Sequence, residues 1–564
     1  MENKIILSLL KLYAKLLELH DGEPMKIKSI NSAIFNLEKT TLTLSALKTE
    51  ELEKLQGVGK SLASMIAEII NHNTFAQLQE LVDKTPAGVM AMFEIKGIGP
   101  KKIRTIWKDL GVETVEDLLQ CCKDNKVAPL KGFGEKTQEE IYDYLLFKEA
   151  AKGKFYYAQV EKLAFAIENK LKNLFGEEWV SLAGDMRRKV EIIEKLIYVV
   201  ATDDFIKGFN EAIQIDGFIV DEILSSPYVI RGSIADGPLI EIKLVEKDCF
   251  GSRVYLNTAH PDHLNAEVGA GETFFHILKS TNFKTEEDIF EKIGWQYIEP
   301  ELREGDFEIE ASKNNTLCPL ITDKDLKGIF HNHTTYSDGE HTLEEMALYC
   351  KELGYQYLGI SDHSKSAYYA NGLFEDKIAK QHKEIDELNA RLAPFKIFKG
   401  IESDILADGS LDYDDFYLKS FDFIVASIHS GLKMDIDKAT ERLVKAIQNP
   451  YTTMLGHPTG RLLLKRAGYP IDHARVIDAC AEYNVIIEIN ANPYRLDLDW
   501  RWVHYALDKG VTISINPDAH EKEGYFDMHY GVCVGRKGGL TPEKTFNAWD
   551  LERVEKYLAY RKRG

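Results

Sequence analysis

Disulfide-forming cysteines and long apolar runs are scarce in this chain. Its 564 residues include 7 cysteines, with no Cys-x-x-Cys spacing and one adjacent pair, Cys121 and Cys122. This usage is typical of reduced, buried thiols rather than of a disulfide framework. No segment approaches the roughly 18 consecutive apolar residues of a membrane span, and the first residues form an amphipathic pattern rather than a signal peptide. We therefore expect a soluble, cytoplasmic protein that does not bind membranes.

Positive charge is also in deficit. The chain has 70 Lys and Arg against 90 Asp and Glu, for a net charge of −20. This balance argues against a protein that coats nucleic acid nonspecifically, because phosphate binding is driven by Lys and Arg. Residues 1–110 carry 15 Lys and Arg against 13 Asp and Glu, so the acidity lies elsewhere and leaves room for a local nucleic-acid footprint. At this length, three to five domains are expected.

After residue 326, short apolar runs alternate with amphipathic helical patterns, and nearly every run ends at a histidine or a carboxylate. The runs cover residues 357–363, 396–402, 422–429, 453–457, 485–490 and 511–520. Brief β-branched runs bounded by turn residues are typical of buried parallel strands. Together with the segment around His331, the alternation of strand and helix predicts a seven-stranded α/β barrel.

Strand ends in such a barrel converge on one face, where they bring distant residues together. The candidate metal ligands are His331, His333, Asp338, His363, Glu402, His429, His457, Asp518 and His520. Nine groups exceed the four to six ligands of one ion, so we expect two to three divalent transition metals, manganese, zinc or iron, with magnesium as a further candidate. Of 16 histidines, 11 follow residue 326, and six of these lie at strand ends, which argues against ordinary core or surface histidines. His341 and His382 fail this test, and His382, in a charged helical run, is predicted to be solvated.

Two similar glycine hairpins lie near the start of the chain, and a weaker third follows at Gly132 and Gly134. The first consists of Gly57, Gly59 and Lys60, and the second of Gly97, Gly99, Lys101 and Lys102. Glycine lets such a turn approach a phosphate closely, and the helix that follows offers free backbone N–H groups. The pattern is that of a helix-hairpin-helix element and predicts sequence-independent contacts with the DNA backbone.

The ligand motifs resemble those of the PHP (polymerase and histidinol phosphatase) domain. They are His331-Asn-His333-Thr, Ser361-Asp-His363-Ser, Gly400-Ile-Glu402-Ser-Asp404, Ser427-Ile-His429-Ser, Gly456-His457-Pro and Pro517-Asp518-Ala-His520. The resemblance implies a trinuclear site. One ion would lie on His331, His333, Glu402 and Asp518, a second on His429 and His457 with Glu402 bridging, and a third on Asp338, His363 and His520. It also implies Glu402, Asp518 and His429 as catalytic residues.

The rest of the chain resembles a bacterial family X DNA polymerase. The resemblance rests on the hairpins, on Gly184-Asp185-Met-Arg187-Arg188 and on a thumb-like stretch at 285–304. It implies a helical lyase-like domain at 1–78, a fingers-like helix-hairpin-helix region at 79–150, a nucleotidyltransferase palm at 151–245, a thumb-like region at 246–315, a linker at 316–325 and the PHP domain at 326–564.

The polymerase motifs of this family are altered where two Mg²⁺ ions would bind. The family's Asp-x-Asp pair aligns with Lys195 and Ile197, and its third aspartate with Glu241. A lysine and an isoleucine cannot ligate Mg²⁺, and the nearby Glu191 and Glu194 restore no acid pair. Asp185 replaces the family's serine that contacts the incoming triphosphate, and residues 258–260 depart from the Thr-Gly-Ser motif that contacts the sugar. Met65 occupies the position of the family's Schiff-base lysine, on which lyase activity depends. We expect polymerase and lyase activity to be lost.

Our interpretation is a monomeric, metal-dependent DNA phosphoesterase in DNA repair, whose polymerase-like part is a scaffold that binds DNA ends or gaps. The resemblance implies a 3′-5′ exonuclease, with 3′-phosphatase or abasic-site endonuclease action as further options. One alternative is an active family X polymerase with a proofreading PHP domain. Another is a non-catalytic DNA-binding protein with structural metals, which the surplus of ligands opposes. The hairpins oppose a small-molecule phosphatase of the histidinol-phosphate type.

Overall fold

The computed structural model describes residues 1, 3–40, 42–95, 97–269 and 271–561. The last three residues of the expected PHP domain, 562–564, lie outside the described residues. The chain divides into two compact units, Met1–Lys152 and Gly153–Gly564. In the described part of the chain, no helix is both long and apolar enough to cross a membrane.

The elements described in the first unit are all helices, joined by turns and short loops. Its helices are α1 (Asn3–Leu19), α2 (Pro24–Leu37), α3 (Thr49–Leu52), α4 (Lys60–His72), α5 (Ala76–Asp83), α6 (Ala87–Ala91), α7 (Pro100–Leu110), α8 (Val115–Lys123) and α9 (Glu135–Ala150). Buried leucines and isoleucines of these helices form one core.

Each predicted glycine hairpin leads directly into a helix of this unit. The first glycines, Gly57, Gly97 and Gly132, have φ angles of 84°, 87° and 85°, a left-handed conformation that glycine adopts without penalty. The second glycines, Gly59, Gly99 and Gly134, are the residues immediately before α4, α7 and α9. The sequence pattern therefore predicted these turns and helix starts correctly.

The second unit begins with a mixed sheet and its helices. The strands are β1 (Phe155–Tyr156), β2 (Val180–Ala183), β3 (Ile192–Ile193), β4 (Lys195–Ala201), β5 (Phe218–Val220), β6 (Val229–Ile234), β7 (Leu239–Val245), β8 (Glu267–Gly269) and β9 (Glu272–Thr273). The helices are α10 (Tyr157–Phe175), α11 (Gly184–Arg187), α12 (Phe205–Ala212), α13 (Phe250–Thr258), α14 (Pro261–Leu264), α15 (Phe274–Ser280), α16 (Glu287–Ile293) and α17 (Phe307–Lys313). The main sheet has the order β2-β4-β7-β6-β5, in which only β4 and β7 run parallel.

Seven parallel strands follow, each paired with the next strand along the chain. They are β10 (Gly328–Ile329), β11 (Tyr357–Ile360), β12 (Lys396–Asp404), β13 (Phe423–Ser427), β14 (Met454–Leu455), β15 (Ile486–Asn490) and β16 (Ile513–Asn516). The helices are α18 (Leu343–Glu352), α19 (Glu375–Leu392), α20 (Asp415–Leu418), α21 (Ile436–Ile447), α22 (His473–Glu482), α23 (Trp500–Asp508), α24 (Met528–Lys537) and α25 (Leu551–Arg561). The predicted fold class, a multidomain α/β chain with a C-terminal seven-stranded barrel, is confirmed.

The seam between the first and last barrel strands is joined by few backbone contacts. Asn332 and Ala519 form a single parallel bridge there. The Asn547 side-chain amide donates to Ile515 O at 2.6 Å and to Gly328 O at 3.2 Å, and its oxygen accepts from Ile515 N at 3.1 Å. One side chain thus supplies hydrogen bonds that a neighbouring strand would otherwise make.

Candidate metal centre

Glu402 lies at the centre of the predicted ligand set. It belongs to β12 and is fully buried. Each of five histidines places a ring nitrogen close to its carboxylate. The distances are 3.2 Å for His331, 3.7 Å for His333, 2.8 Å for His363, 3.2 Å for His429 and 3.1 Å for His457. No other carboxylate among the described residues is in contact with so many imidazoles.

The barrel positions these groups because each follows, or lies in, the carboxyl end of a strand. His331 and Asp518, just beyond β10 and β16, have left-handed φ angles of 54° and 53°. Such backbone conformations are costly for residues other than glycine, and they concentrate at functional sites. At these two positions the chain adopts a strained conformation that directs both side chains into the cluster.

Asp518 and Asp338 extend the cluster on either side of His333. Asp518 Oδ1 is 3.1 Å from His333 Nε2 and 3.6 Å from His331 Nε2. Asp338 Oδ2 is 3.4 Å from His520 Nε2, and its Oδ1 is 3.8 Å from His363 Nε2. All nine predicted ligands therefore lie in one continuous site.

The ligand atoms form four overlapping groups in which every atom lies within 4.8 Å of the others. The groups are His333, Asp338, His363 and His520; His331, Glu402 and His457; His331, His333 and Asp518; and His363, Glu402 and His429. Asp338, His363 and His520 share a group, as the three-ion scheme expects. His429 and His457 occur in different groups, each with Glu402, so the division of ligands among ions stays a prediction.

Several buried polar atoms of the cluster lie close to one another but have no partner in hydrogen-bonding geometry. They are His331 Nε2, His333 Nδ1, His363 Nδ1, His457 Nδ1 and Glu402 Oε2. Buried polar atoms are normally satisfied, and leaving one unsatisfied costs free energy. Imidazole and carboxylate suit zinc, manganese and iron. The donor set therefore fits several divalent metal ions.

Electrostatics divides the histidines into two kinds. Burial acts to lower the pKa of His331, but the charges of Glu488, Glu402 and Asp518 raise it well above its usual value. Burial, together with the charges of His520 and His363, lowers the pKa of His333 to about 3. A neutral imidazole binds a metal without first losing a proton, whereas a protonated one must release it. Metal binding at this site is therefore coupled to proton release.

Two carboxylates that support the cluster were missed in the sequence. Glu488 Oε2 lies 2.5 Å from His331 Nδ1, and Asp404 Oδ1 lies 2.5 Å from His429 Nδ1. Such carboxylates fix the ring orientation and tautomer of a ligand histidine. A signal was present, since Glu488 is an acid inside the apolar run Ile486-Ile-Glu-Ile-Asn490 and Asp404 closes the motif that begins at Gly400.

The two excluded histidines remain outside every ligand group of the described residues. The predicted solvation of His382 is wrong. Its half-buried ring packs edge-on against Phe421, with 5.2 Å between the ring centroids. The charged run forms α19, whose apolar positions face the barrel, and His382 lies at the border of that face.

The polymerase-like sheet holds its candidate residues in a different environment. Lys195 opens β4 and is exposed, and Ile197 lies opposite Glu241 in the register of β4 and β7. Glu241 forms ion pairs with Arg231 at 2.8 Å and Lys243 at 2.9 Å. Burial acts to raise the pKa of Glu241, but these two cations lower it overall. In the described residues between 153 and 325, no three-residue ligand group occurs.

The glutamates near Lys195 in sequence have other partners. Glu191 accepts hydrogen bonds from Arg501 and Trp500, each at 3.0 Å, and Glu194 lies 3.5 Å from Lys154.

Both arginines of the polymerase motif form ion pairs with acidic side chains of the same chain. Arg188 is buried and donates to Asp185 at 2.6 Å and to Glu304 at 2.8 Å. Arg187 binds both carboxylate oxygens of Glu286, at 3.0 and 2.6 Å. These guanidinium groups connect the end of α11 to Glu286 and Glu304, about 100 residues further along the chain.

The hairpin lysines lie at the surface of the first unit. Lys60 and Lys101 are exposed at the starts of α4 and α7, and Lys102 Nζ is 3.4 Å from Gly97 O. Met65 is buried in the core. An apolar, buried side chain at that position fits the expectation that no Schiff base forms there.

Comparisons with known proteins agree with this division of the chain. Residues 1–75 match the family described as Helix-hairpin-helix domain, residues 89–145 the SAM-like Helix-hairpin-helix tandem, and residues 330–492 the PHP domain. The fold and the site therefore define a class: helix-hairpin-helix modules and a mixed sheet joined to a PHP barrel.

A relative from Bacillus subtilis (strain 168), named DNA polymerase/3′-5′ exonuclease PolX, is 34% identical over 578 residues, which cover 99% of each chain. The chain belongs to the PolX family, and the resemblance to a bacterial family X polymerase with a PHP domain is confirmed. Shorter relatives match the barrel. A probable phosphatase of Thermoanaerobacter sp. (strain X514) is 28% identical over 41% of this chain and 94% of its own length. One from Caldanaerobacter subterraneus is 30% identical over 40% of this chain and 89% of its own.

Proposed function

We propose that this protein is a metal-dependent 3′-5′ exonuclease whose reaction takes place at the PHP cluster. The observation that carries the proposal is the buried Glu402 carboxylate, which five imidazoles surround. The relative that spans the whole chain carries exonuclease in its name, and those that match the barrel are named as phosphatases. Both names describe cleavage of a phosphate ester.

The residues of the cluster have distinct tasks in this proposal. Two to three divalent ions, manganese, zinc or iron, would activate a water molecule and offset the charge on the leaving oxygen. Glu402 links the ligand groups and sets their spacing, while Glu488 and Asp404 hold His331 and His429 in orientation. Asp518 and His429 are the other groups for which we propose catalytic roles.

The test is nucleotide release from 3′-recessed, single-stranded and 3′-phosphorylated DNA with Mn²⁺, together with metal analysis of the purified protein. His331→Ala combined with His333→Ala should reduce both bound metal and hydrolysis. His276→Ala, at an exposed histidine outside the barrel, is the matched control. Wild-type protein that binds no transition metal, or that leaves all three substrates intact, contradicts the proposal. The panel also separates exonuclease from 3′-phosphatase action.

We further propose that polymerase activity is lost. The whole-chain match to the Bacillus subtilis relative favours the alternative, an active polymerase with a proofreading PHP domain. The support for loss is local. Lys195 and Ile197 stand where two metal-binding acids are expected, and the carboxylate of Glu241 is already paired with two cations. Arg188, moreover, is engaged by Asp185 and Glu304 rather than free for a triphosphate.

Primer extension with Mg²⁺ or Mn²⁺ decides between these two readings. The assay uses the His331→Ala/His333→Ala variant, so that nuclease action cannot remove an extended primer, and the Bacillus subtilis relative is the positive control. Incorporation near background supports loss. Template-directed incorporation that Glu241→Ala abolishes establishes the active-polymerase alternative.

We propose that the first unit binds DNA ends or gaps through its hairpins. We also propose that the protein is a monomer and that its chain has the six parts given in the sequence analysis. Exposed Lys60 and Lys101 at helix starts support backbone contacts. Substitution of Lys101 and Lys102 by Ala should weaken DNA binding alike for all sequences and reduce its salt dependence. Unchanged affinity would mean that the hairpins are packing turns only.

A further inference from the structure

A short turn beside the metal centre exposes two consecutive tyrosines. Tyr368–Ala370 form a single helical turn a few residues after the ligand His363. Tyr368 is 78% exposed and Tyr369 is 71% exposed, whereas the flanking Ala367 and Ala370 are buried. Two adjacent exposed aromatic rings therefore lie close in sequence to a candidate metal ligand.

The backbone of this turn is fixed in place. Leu373 N donates to His363 O at 2.8 Å, and Gly372 N donates to Ala367 O at 3.1 Å. A Cβ at Gly372 would lie 2.0 Å from Ser364 O, so the two segments are in direct contact. The tyrosines therefore project from a rigid base rather than from a loose loop.

Only one of the two tyrosines lies against the metal centre. The Tyr369 ring is 6.0 Å from the His363 ring, between centroids, whereas the Tyr368 ring lies 6.4 Å from Phe374. Desolvation raises the pKa of the Tyr369 hydroxyl, and the charges of Asp404, Glu402 and Asp338 raise it further. The hydroxyl is thus within electrostatic range of the cluster.

A cation occupies the same rim. Arg495 Nε is 3.6 Å from Asp518 Oδ2. The positive charge of Arg495 also lowers the pKa of the Tyr369 hydroxyl, opposite to the effect of the carboxylates. An exposed aromatic face next to a positive charge is the combination by which proteins hold single-stranded nucleic acid, since bases stack on the ring and phosphates approach the cation.

We propose that Tyr369 stacks on the base of the 3′-terminal nucleotide and so positions the adjoining phosphodiester over the cluster. This inference rests on the proposed exonuclease function. Stacking tolerates every base because each has a π face, which suits an enzyme that removes nucleotides in succession. Tyr369 is a positioning residue here, since it contacts the substrate base and not the reacting atoms.

The test compares two single-stranded oligonucleotides that differ only in the 3′-terminal residue, a normal nucleotide in one and a tetrahydrofuran abasic residue in the other. The wild type should cleave the normal end with kcat/KM about tenfold higher, mainly through KM, because one stacked base is lost in the other substrate. Tyr369→Ala should remove this preference, and Tyr369→Phe should keep it. Tyr368→Ala is the matched control and should also keep it.

Stacking can also be measured without turnover. A 3′-terminal 2-aminopurine should be quenched on binding to the His331→Ala/His333→Ala variant, and the quenching should disappear when Tyr369→Ala is added.

Equal cleavage of both ends by the wild type, or a preference that survives Tyr369→Ala, overturns the inference. A wild type that cleaves neither oligonucleotide overturns the proposed function instead, and the 2-aminopurine signal then decides the stacking separately.

Discussion

Two glutamates of this chain lie in strands and differ in their neighbours: Glu241, partly buried in the mixed sheet, and Glu402, fully buried in the barrel. Glu241 is paired with Arg231 and Lys243, and Glu402 with five imidazoles. The pKa of each is lowered, so both are carboxylates at neutral pH. Arg and Lys neutralise a carboxylate and offer a metal no lone pair, whereas imidazole can exchange its proton for a metal ion. The partner, rather than the acid, determines whether such a site can bind metal.

Glu402→Gln tests this difference most severely. The substitution keeps the shape of the side chain but removes its charge, and Glu402 belongs to two of the ligand groups. We therefore expect exonuclease activity to fall by more than about 100-fold, beyond the 10- to 100-fold typical of residues that only support a ligand. The barrel should stay folded, as judged by circular dichroism, because the apolar residues of the strands form its core.

The comparison variant is His520→Ala, assayed at saturating Mn²⁺ on the same 3′-ended DNA. If Glu402→Gln turns over near the wild-type rate while His520→Ala is inactive, the central position assigned to Glu402 is incorrect.

Glu286→Gln tests a carboxylate held by arginines, where the expected effect is on stability. Burial acts to raise the pKa of Glu286, but Arg303 and Arg187 lower it overall, from 4.5 to about 2. The folded state thus gains on the order of 3 kcal/mol from this group above about pH 4.5, and the gain is lost as the pH falls toward 2. The difference in unfolding free energy between wild type and Glu286→Gln should shrink between pH 6 and pH 3.

Glu287→Gln, at the exposed neighbouring residue, should show no such pH dependence in chemical denaturation. A Glu286→Gln difference that is constant across this range would mean that the ion pairs with arginine contribute no net stability.

Glu488→Gln examines a carboxylate that holds a ligand without being one. Because Glu488 orients His331, we expect metal affinity to fall by about 10- to 100-fold, with activity partly recovered at high Mn²⁺. Metal titration followed by activity measurement checks this. Glu482→Gln, at an exposed glutamate at the end of α22, should behave as wild type. If Glu488→Gln binds metal as tightly as the wild type, the other contacts of His331 are sufficient to orient it.

Glu241→Gln should have the smallest effect. The exonuclease rate should change less than about twofold, because Glu241 and its partners Arg231 and Lys243 belong to none of the ligand groups of the cluster. A nuclease assay beside the Glu402→Gln series measures it. A large loss would show that the two carboxylates act together, and would remove the contrast drawn between them.

The nine candidate ligands could be selected from the sequence because most of them stand at or just beyond the end of an apolar run, where parallel strands must converge. Glu488 and Asp404 could not be assigned the same way, since they act on His331 and His429 through contacts that only the barrel creates. His382 shows the reverse error: its charged surroundings in sequence predicted solvation, but helical periodicity brings it against Phe421. Arg188 and Glu304 are far apart in the chain, so no sequence pattern predicts their ion pair.

The amide of Asn547 has a consequence for the order in which this protein is made. Chains leave the ribosome from the amino end, and domains generally fold as their residues emerge. The strand just before His331 and His333 is synthesised more than 200 residues before Asn547, so its link to Ile515 through the Asn547 amide cannot form until residue 547 has emerged. The contact of His333 with Asp518 lies across the same seam. During translation more than 200 further residues must therefore be added after His331 and His333 before the seam beside these candidate ligands can close.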